Sequence, residues 1–423
     1  MPVAPIPISE IEPVSHQRKQ CESILTSYVR RYLGKSDFFN ERNSISDKLL
    51  FFGRQSLLVK LEDTLLKKQS VGIFGVRKSG KTSVMNQISS LLRLKSFPVI
   101  NIDLQVFGEE AGIRNRIFKE IVCQLHKLLA LSEDTDEAID RFSSISPEEY
   151  TSENFVELFE KISASLTQNG FGMPVVILLD EMERIMPRPA DSIEKVKEFN
   201  VIMGCLRALS QEKKILSMLV TDVYPDCNRV NQWPQKNISS NPVYKFFEEF
   251  YLAPFKEEQT VDMLQDIGNL MGLEVGELLA KDIHDKSGGH PYIARQIAHY
   301  MYDNLASEES LLATPMSEED WAEMLIDFDE ISNYFEKGIL EHFSARNLDI
   351  ETMILEKLSG LIEDSKGMQY DRLIVELSRG FSKRRSVEAV SHLSKLGLVK
   401  QTKSAEGRFL TLSIPILATW MVN

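Results

Sequence analysis

Residues 70–83 read SVGIFGVRKSGKTS, and this stretch decides the fold. Apolar and β-branched residues run into a loop bracketed by two glycines, and the following VMNQISSLLRLK has the apolar spacing of a helix. The local order is therefore strand, loop, helix. Residues 75–82, GVRKSGKT, match GxxxxGK[ST] at every fixed position. Gly75 and Gly80 let the backbone of Val76, Arg77, Lys78 and Ser79 curl, so that successive N–H groups point at phosphate oxygens. The helix that opens at Lys81, Thr82 and Ser83 adds its positive end. In this pattern Lys81 reaches the β- and γ-phosphates, and the Thr82 hydroxyl is a ligand of Mg²⁺.

Such a loop needs a second buried strand that presents a carboxylate to the magnesium shell. Residues 175–181, VVILLDE, supply one. Asp180 is expected to hold the metal, and Glu181 to orient or deprotonate the water that attacks the γ-phosphate. Taken alone, an ordinary buried strand ending in acidic loop residues has the same local pattern. Further apolar runs at 99–104 (VINIDL), 215–220 (ILSMLV) and 250–252 alternate with helical patterns. The fold class is α/β: a parallel five-stranded sheet of the P-loop NTPase kind. Thr221 and Asp222 come directly after the ILSMLV run and are read as catalytic, sensing the γ-phosphate; strand-end capping explains them equally well. All these polar groups are placed at the carboxyl ends of strands, where ligands bind in such sheets.

The chain of 423 residues has room for two to four domains at roughly 150 residues each. With 43% hydrophobic and 26% charged residues it can build large cores, and disorder cannot dominate. A net charge of -13 repels nucleic acid on average, so any DNA contact must be local. Cys21, Cys123, Cys205 and Cys227 form no CxxC pair and no compact disulfide framework, which fits a reducing cytoplasm. The opening MPVAPIPISEIEPV lacks the plan of a signal peptide, and no apolar run approaches the ~20 residues that cross a bilayer. No membrane contact is expected. From Cys21 to Gly34, apolar residues recur at helical spacing and predict one amphipathic helix, which either docks a partner or packs on the next domain.

Taken together, these residues resemble the AAA+ ATPases, and more narrowly the signal-transducing STAND branch with its prokaryotic relatives near the origin-recognition ATPases. Four further stretches carry the resemblance. Phe52, Gly53 and Arg54 look like the short motif that holds adenine ahead of the phosphate loop. Residues 249–259, EFYLAPFKEEQ, look like the passage from the last sheet strand into a helical lid. Residues 287–296, SGGHPYIARQ, look like the lid motif, which implies nucleotide contacts for Pro291 and neighbouring His290. The last hundred residues look like a winged helix: helical spacing at 370–379 and 386–396, then two strands in LVKQTKSAEGRFLTL. The implied division is 1–46, an N-terminal extension; 47–255, the ATPase domain; 256–312, the lid; and 313–423, the winged helix. ATP and Mg²⁺ are the implied cofactors, and ATP hydrolysis, slow in turnover, the implied reaction. No arginine stands in an unambiguous finger context, although Arg207 and Arg229 fall in the stretch where relatives carry one. Arg295 is read either as a lid arginine touching the γ-phosphate or as a solvated residue.

From Asp371 onward nine Lys and Arg stand against four Asp and Glu, a local surplus of five positive charges. Lys383, Arg384 and Arg385 open the second helix of this segment, where a DNA-reading winged helix places phosphate contacts. The same module clamps nucleotide in STAND-like proteins, and a basic tail also suits an acidic body. Two functions are consistent with this pattern. One is a nucleotide-driven regulatory switch that acts through a homo-oligomer or a separate effector protein, as in bacterial signalling or antiviral defence. The other is an origin-recognition-like or transposition-type ATPase that grips DNA.

Overall fold

The structure, a computed structural model, describes residues 37–107, 112–130, 151–233, 240–305, 311–312, 316–327, 329–344, 348–361 and 367–422. The helix expected from Cys21 lies outside the described residues. The chain divides into two compact units. One comprises Arg54–Gly75 and Lys81–Tyr251; the other comprises Val76–Gly80 with the described residues of 37–53 and 252–422.

The first unit is built in the order α1 (Gln55–Leu66), β1 (Val71–Phe74), α2 (Lys81–Leu94), β2 (Val99–Asp103), α3 (Ile113–Ala130), α4 (Ser152–Gln168), β3 (Val175–Asp180), α5 (Ile193–Gln211), β4 (Leu216–Asp222), the short α6 (Asp226–Arg229) and β5 (Glu248–Tyr251). The five strands form one parallel sheet in the order β2-β3-β4-β1-β5. Every residue of β1, β3 and β4 is buried, as continuous apolar strands covered on both faces must be. The helices form where caps and apolar stripes coincide. Thr151 accepts from the Asn154 N–H at the start of α4, which then buries Phe155, Leu158, Phe159, Ile162 and Leu166 along one face. Phe118 of α3 stacks on Phe155 at 3.9 Å between ring centroids, inside the main core.

Several expected boundaries move for identifiable reasons. The strand expected at 250–252 begins earlier, because Glu248 N donates to Ser70 O at 3.0 Å and pairs with Val71. Thr221 and Asp222 are the last two residues of β4, not its sequel, since they pair with Ile73 and Phe74 of β1. Glu181 stands one residue past β3 in a left-handed conformation, φ 56°, which ends the strand at Asp180.

In the second unit, a 3₁₀ turn at Lys48–Leu50 is succeeded after the sheet by α7 (Glu257–Met271), β6 (Glu274–Val275), α8 (Glu277–Ser287), α9 (Pro291–Leu305), β7 (Leu311–Leu312), α10 (Glu318–Asp327) and α11 (Asp329–Asn333). A π-helical stretch, Tyr334–Leu340, leads into α12 (Glu341–Ser344) and α13 (Asp349–Ser359). Then come β8 (Met368–Gln369), α14 (Tyr370–Leu377), α15 (Lys383–Lys395), β9 (Val399–Ser404), β10 (Gly407–Leu412) and α16 (Pro415–Val422). Strands β8, β10 and β9 make an antiparallel sheet in that order. The two-residue β8 has no counterpart in the expected pattern. The second helix of this segment opens at Lys383, as expected, because the Ser382 hydroxyl caps it by accepting from Arg385 N.

Phe255 organises the first part of this unit. Its N–H donates to Gly289 O at 2.8 Å, and Gln259 Nε2 reaches Gly53 O at 2.9 Å from the first turn of α7. Gly289 has φ +74°, and a Cβ there would lie 2.2 Å from Phe255 O. Only glycine fits that approach. Gly289→Ala is therefore expected to lower stability by about 2 kcal/mol or more, read as a shift of the urea midpoint; an unchanged midpoint would contradict this packing.

Candidate functional site

Gly75, Lys81 and Thr82 belong to the sheet unit, while Val76–Gly80 belong to the other. Gly75 directly follows β1, and α2 opens at Lys81. Lys81 Nζ donates to Gly75 O at 2.8 Å, closing the mouth of the loop on itself. Burial lowers the pKa of this ammonium, against the opposing pull of Glu183, Asp222, Asp180 and Glu181. The four carboxylates only partly offset the loss of solvation at this ammonium.

Thr82, in the first turn of α2, donates its hydroxyl proton to Asp180 Oδ2 at 2.8 Å. The other oxygen, Oδ1, accepts from the Thr221 hydroxyl and, at 3.1 Å, from Glu181 N. Glu181 N also lies 3.2 Å from Thr221 Oγ1. Asp180, 8% exposed, thus has both oxygens held at the strand end, with Asp103 beside it in register on β2. Because Thr82 commits its proton to Asp180, the lone pairs of Oγ1 are left for a cation. Among the described residues no cluster of three or more His, Cys, Asp or Glu side chains could hold a metal without other ligands.

The other residues expected at the site are spread over the loop, its helix, residues 52–54 and the start of α9. In the loop, Val76 and Ser79 are buried, Arg77 and Lys78 exposed, and Gly80 half-buried. Lys78 and Gly80 have left-handed φ values of 59° and 97°. Glycine takes the second without strain, and open space lies where its Cβ would be. Ser79 Oγ, in a residue 3% exposed, has no hydrogen-bond partner among the described residues, as fits a hydroxyl that meets a ligand oxygen. Ser83 is buried in α2. Phe52 and Gly53 are half-buried, and burial brings the Arg54 guanidinium down to about 10. Pro291 is the first residue of α9, where its missing N–H costs nothing. His290, 4% exposed, stands just before it.

Hydrogen bonds place Asp222, Arg295, Arg229 and Arg207 as follows. Asp222 Oδ1 accepts from Val223 N at 2.6 Å and Tyr224 N at 3.2 Å, so it caps the strand end, which is the alternative to a catalytic role. Arg295 is 3% exposed and therefore no solvated residue. Its guanidinium donates to Phe38 O and Phe39 O, a backbone engagement that local sequence gives no means to foresee. Arg229 is bound within its own unit to Glu249 at 2.8 Å and to Tyr251, and Arg207 to Gln211 and Pro242 O. Neither projects as a free finger. Sequence reading missed Arg184, which pairs with Glu181 Oε2 at 2.9 Å, and Glu183, which faces Lys81; both stand in the DEMER run at the end of β3.

The profile of a family described as an AAA-like domain matches residues 46–328, about two thirds of the chain, and the chain belongs to that family. Its structure is similar to that of the Walker-type ATPase of Pyrococcus abyssi, with a TM-score of 0.61 at 15% identity over 91% of this chain and 100% of that one. Cdc6p from Pyrobaculum aerophilum gives a TM-score of 0.41 at 12% identity over 91% and 97% of the two chains. The RuvB Holliday junction branch migration motor of Thermotoga maritima gives 0.38 at 14% identity over 87% and 95%. The first of these likenesses carries the P-loop α/β fold. No curated protein matches the chain in sequence.

Burial pushes the Glu249 carboxyl up, but hydrogen bonds from Arg229, Asn228 and Tyr251 outweigh it and hold it at about 2, against an ordinary 4.5. This depressed group stabilises the fold above pH 4.5, and the contribution is lost as pH falls toward 2. Glu249→Gln should cost about 1 kcal/mol at neutral pH, discounted for the half-exposed Arg229, and the gap to wild type should close through that acid window in urea titrations. A gap independent of pH would contradict the pairing.

Proposed function

We propose that this member of the AAA-like domain family binds ATP with Mg²⁺, hydrolyses it slowly, and uses the nucleotide state as a regulatory switch. The observation that carries the reading is the Thr82 hydroxyl on Asp180 at 2.8 Å, one residue from Lys81. Val76–Gly80 and Ser83 would surround the phosphates, Lys81 would neutralise them, and Thr82 with Asp180 would hold the cation. The resemblance assigns contacts with the base to Phe52, Gly53, Arg54, His290 and Pro291. Mg²⁺, when bound, would draw charge from the phosphate oxygens. Glu181 would take the proton from the attacking water; its carboxylate is partly exposed, and Arg184 fixes its direction. Thr221 would hold the Asp180 carboxylate while charge shifts at the γ-phosphate.

The regulatory part rests on the segment carboxyl-terminal to the lid. Helices α13, α14 and α15 with the β9–β10 hairpin have the order of a winged helix, and we read 313–423 as that module, on STAND-like lines. ATP binding would alter its contacts with a second copy or an effector, as suits signalling or defence. A second reading is supported by the exposed Lys383, Arg384 and Arg385 of the first turn of α15, together with exposed Lys400 and Lys403 on β9: a DNA-gripping ATPase.

The statements are tested separately. Lys81→Ala should weaken ATP binding about 100-fold, while Glu181→Gln should bind ATP normally and turn over about 100-fold more slowly. Unaltered affinity in the first or normal turnover in the second would refute the assignments. Light scattering with and without ATP should reveal a nucleotide-dependent mass or partner complex. Salt-sensitive DNA binding, lost when Lys383, Arg384 and Arg385 all become alanine, would favour the second reading instead.

A further inference from the structure

Tyr334 lies beyond the family match and opens the π-helical stretch, yet it meets the phosphate loop inside one unit. Its hydroxyl stands 2.9 Å from Arg77 O and 3.0 Å from His290 Nε2, and the residue is 6% exposed. A phenol has one proton, and a carbonyl can only accept, so Tyr334 donates to Arg77 O. His290 Nε2–H must then donate to Tyr334 Oη. The opposite ring nitrogen agrees, because Nδ1 accepts from Ile293 N at 3.4 Å. His290 is thereby assigned the neutral Nε2–H tautomer. Burial raises the pKa of the phenol, so it remains a donor. The result is a one-way chain: Ile293 N–H to His290, His290 to Tyr334, and Tyr334 to Arg77 O. Tyr292 packs its ring on Tyr334 at 5.3 Å and lies under Lys78 Nζ, also at 5.3 Å, while Lys78 Nζ donates to Arg42 O at 2.6 Å.

The peptide unit between Arg77 and Lys78 is planar, and in its trans form C=O and N–H point in opposite directions. Holding the Arg77 carbonyl therefore sets the direction of the Lys78 N–H, one of the loop amides a phosphate would use. A loop that turns this peptide to meet a phosphate must also move, or release, the Tyr334 hydroxyl. That displacement passes to His290 and to the first turn of α9.

We propose that Tyr334 is a positioning residue that couples the Arg77–Lys78 peptide of the phosphate loop to His290 and helix α9, so that nucleotide occupancy is transmitted to the lid. The proposal rests on the reading of this loop as an ATP site. It assigns the transmitting role to a side chain that belongs to none of the nucleotide-binding motifs of the chain.

The test uses the full chain and Tyr334→Phe, which keeps the ring packing and removes only the hydroxyl. In wild type, saturating Mg·ATP should change hydrogen exchange together at the loop amides, at Tyr334–Leu340 and across the first turns of α9. In Tyr334→Phe, ATP should bind about fivefold to tenfold more weakly, as for loss of one hydrogen bond, and at saturation the α9 response should vanish while the loop response persists. A preserved α9 response at saturation, whatever the affinity, would reduce Tyr334 to a structural filler and overturn the coupling. Should the variant not fold, the wild-type experiment still decides: loop protection without any change in the 334–340 segment or α9 overturns the proposal. Absence of ATP binding to folded wild type would remove instead the ATP reading beneath it.

Discussion

A carboxylate buried at the end of a strand is costly unless donors surround it, and Asp180 is such a group. Its donors come from three places in the sheet unit: Thr82 from the first turn of α2, Thr221 from β4, and the Glu181 N–H just past β3. Satisfying one side chain therefore fixes the relative position of the phosphate-loop helix and two strand ends. The strand order places β4 between β1 and β3, so Thr221 is the residue able to bridge to Asp180. The left-handed turn at Glu181 obeys the same constraint, since it lets the backbone N–H fold back onto Asp180 while the side chain leaves toward Arg184.

In the second unit the corresponding constraint is close approach around Phe255 and the GGHP turn. Gly289 allows the two backbones to meet, Pro291 starts α9 without an orphan donor, and His290 is left buried with one ring nitrogen facing Tyr334. A neutral imidazole between a helix N–H and a phenol accepts at Nδ1 and donates at Nε2. The loop Val76–Gly80 shares this unit, so its backbone is held through Arg77 O and Lys78 as well as by its own turn, Ser79 N to Val76 O at 3.3 Å.

The sheet is legible in the sequence because its strands are continuous apolar runs and its loop has a spacing with a mechanism. The GxxxxGK[ST] match and VVILLDE point to the pairing of Thr82 with Asp180 although the two stand 98 positions apart. The register that puts Thr221 inside β4 is not legible, since a strand end depends on its neighbours' hydrogen bonds and not on local composition. The partners of Arg295 are not legible for a similar reason: they are carbonyls of Phe38 and Phe39, and backbone acceptors carry no sequence signature. Tyr334 escapes notice because a tyrosine within an apolar helical run, ISNYFEKGIL, looks like core packing, and only its hydroxyl's neighbours distinguish it.

The loop, Lys81 and the Thr82–Asp180 pair are proposed to bind a magnesium-bound triphosphate. Calorimetric titration of ATP into the intact, folded chain, with and without Mg²⁺, tests this most directly. Saturable binding at one site per chain, tightened by Mg²⁺, is the predicted result. No heat of binding from any nucleoside triphosphate in the presence of Mg²⁺ would contradict it.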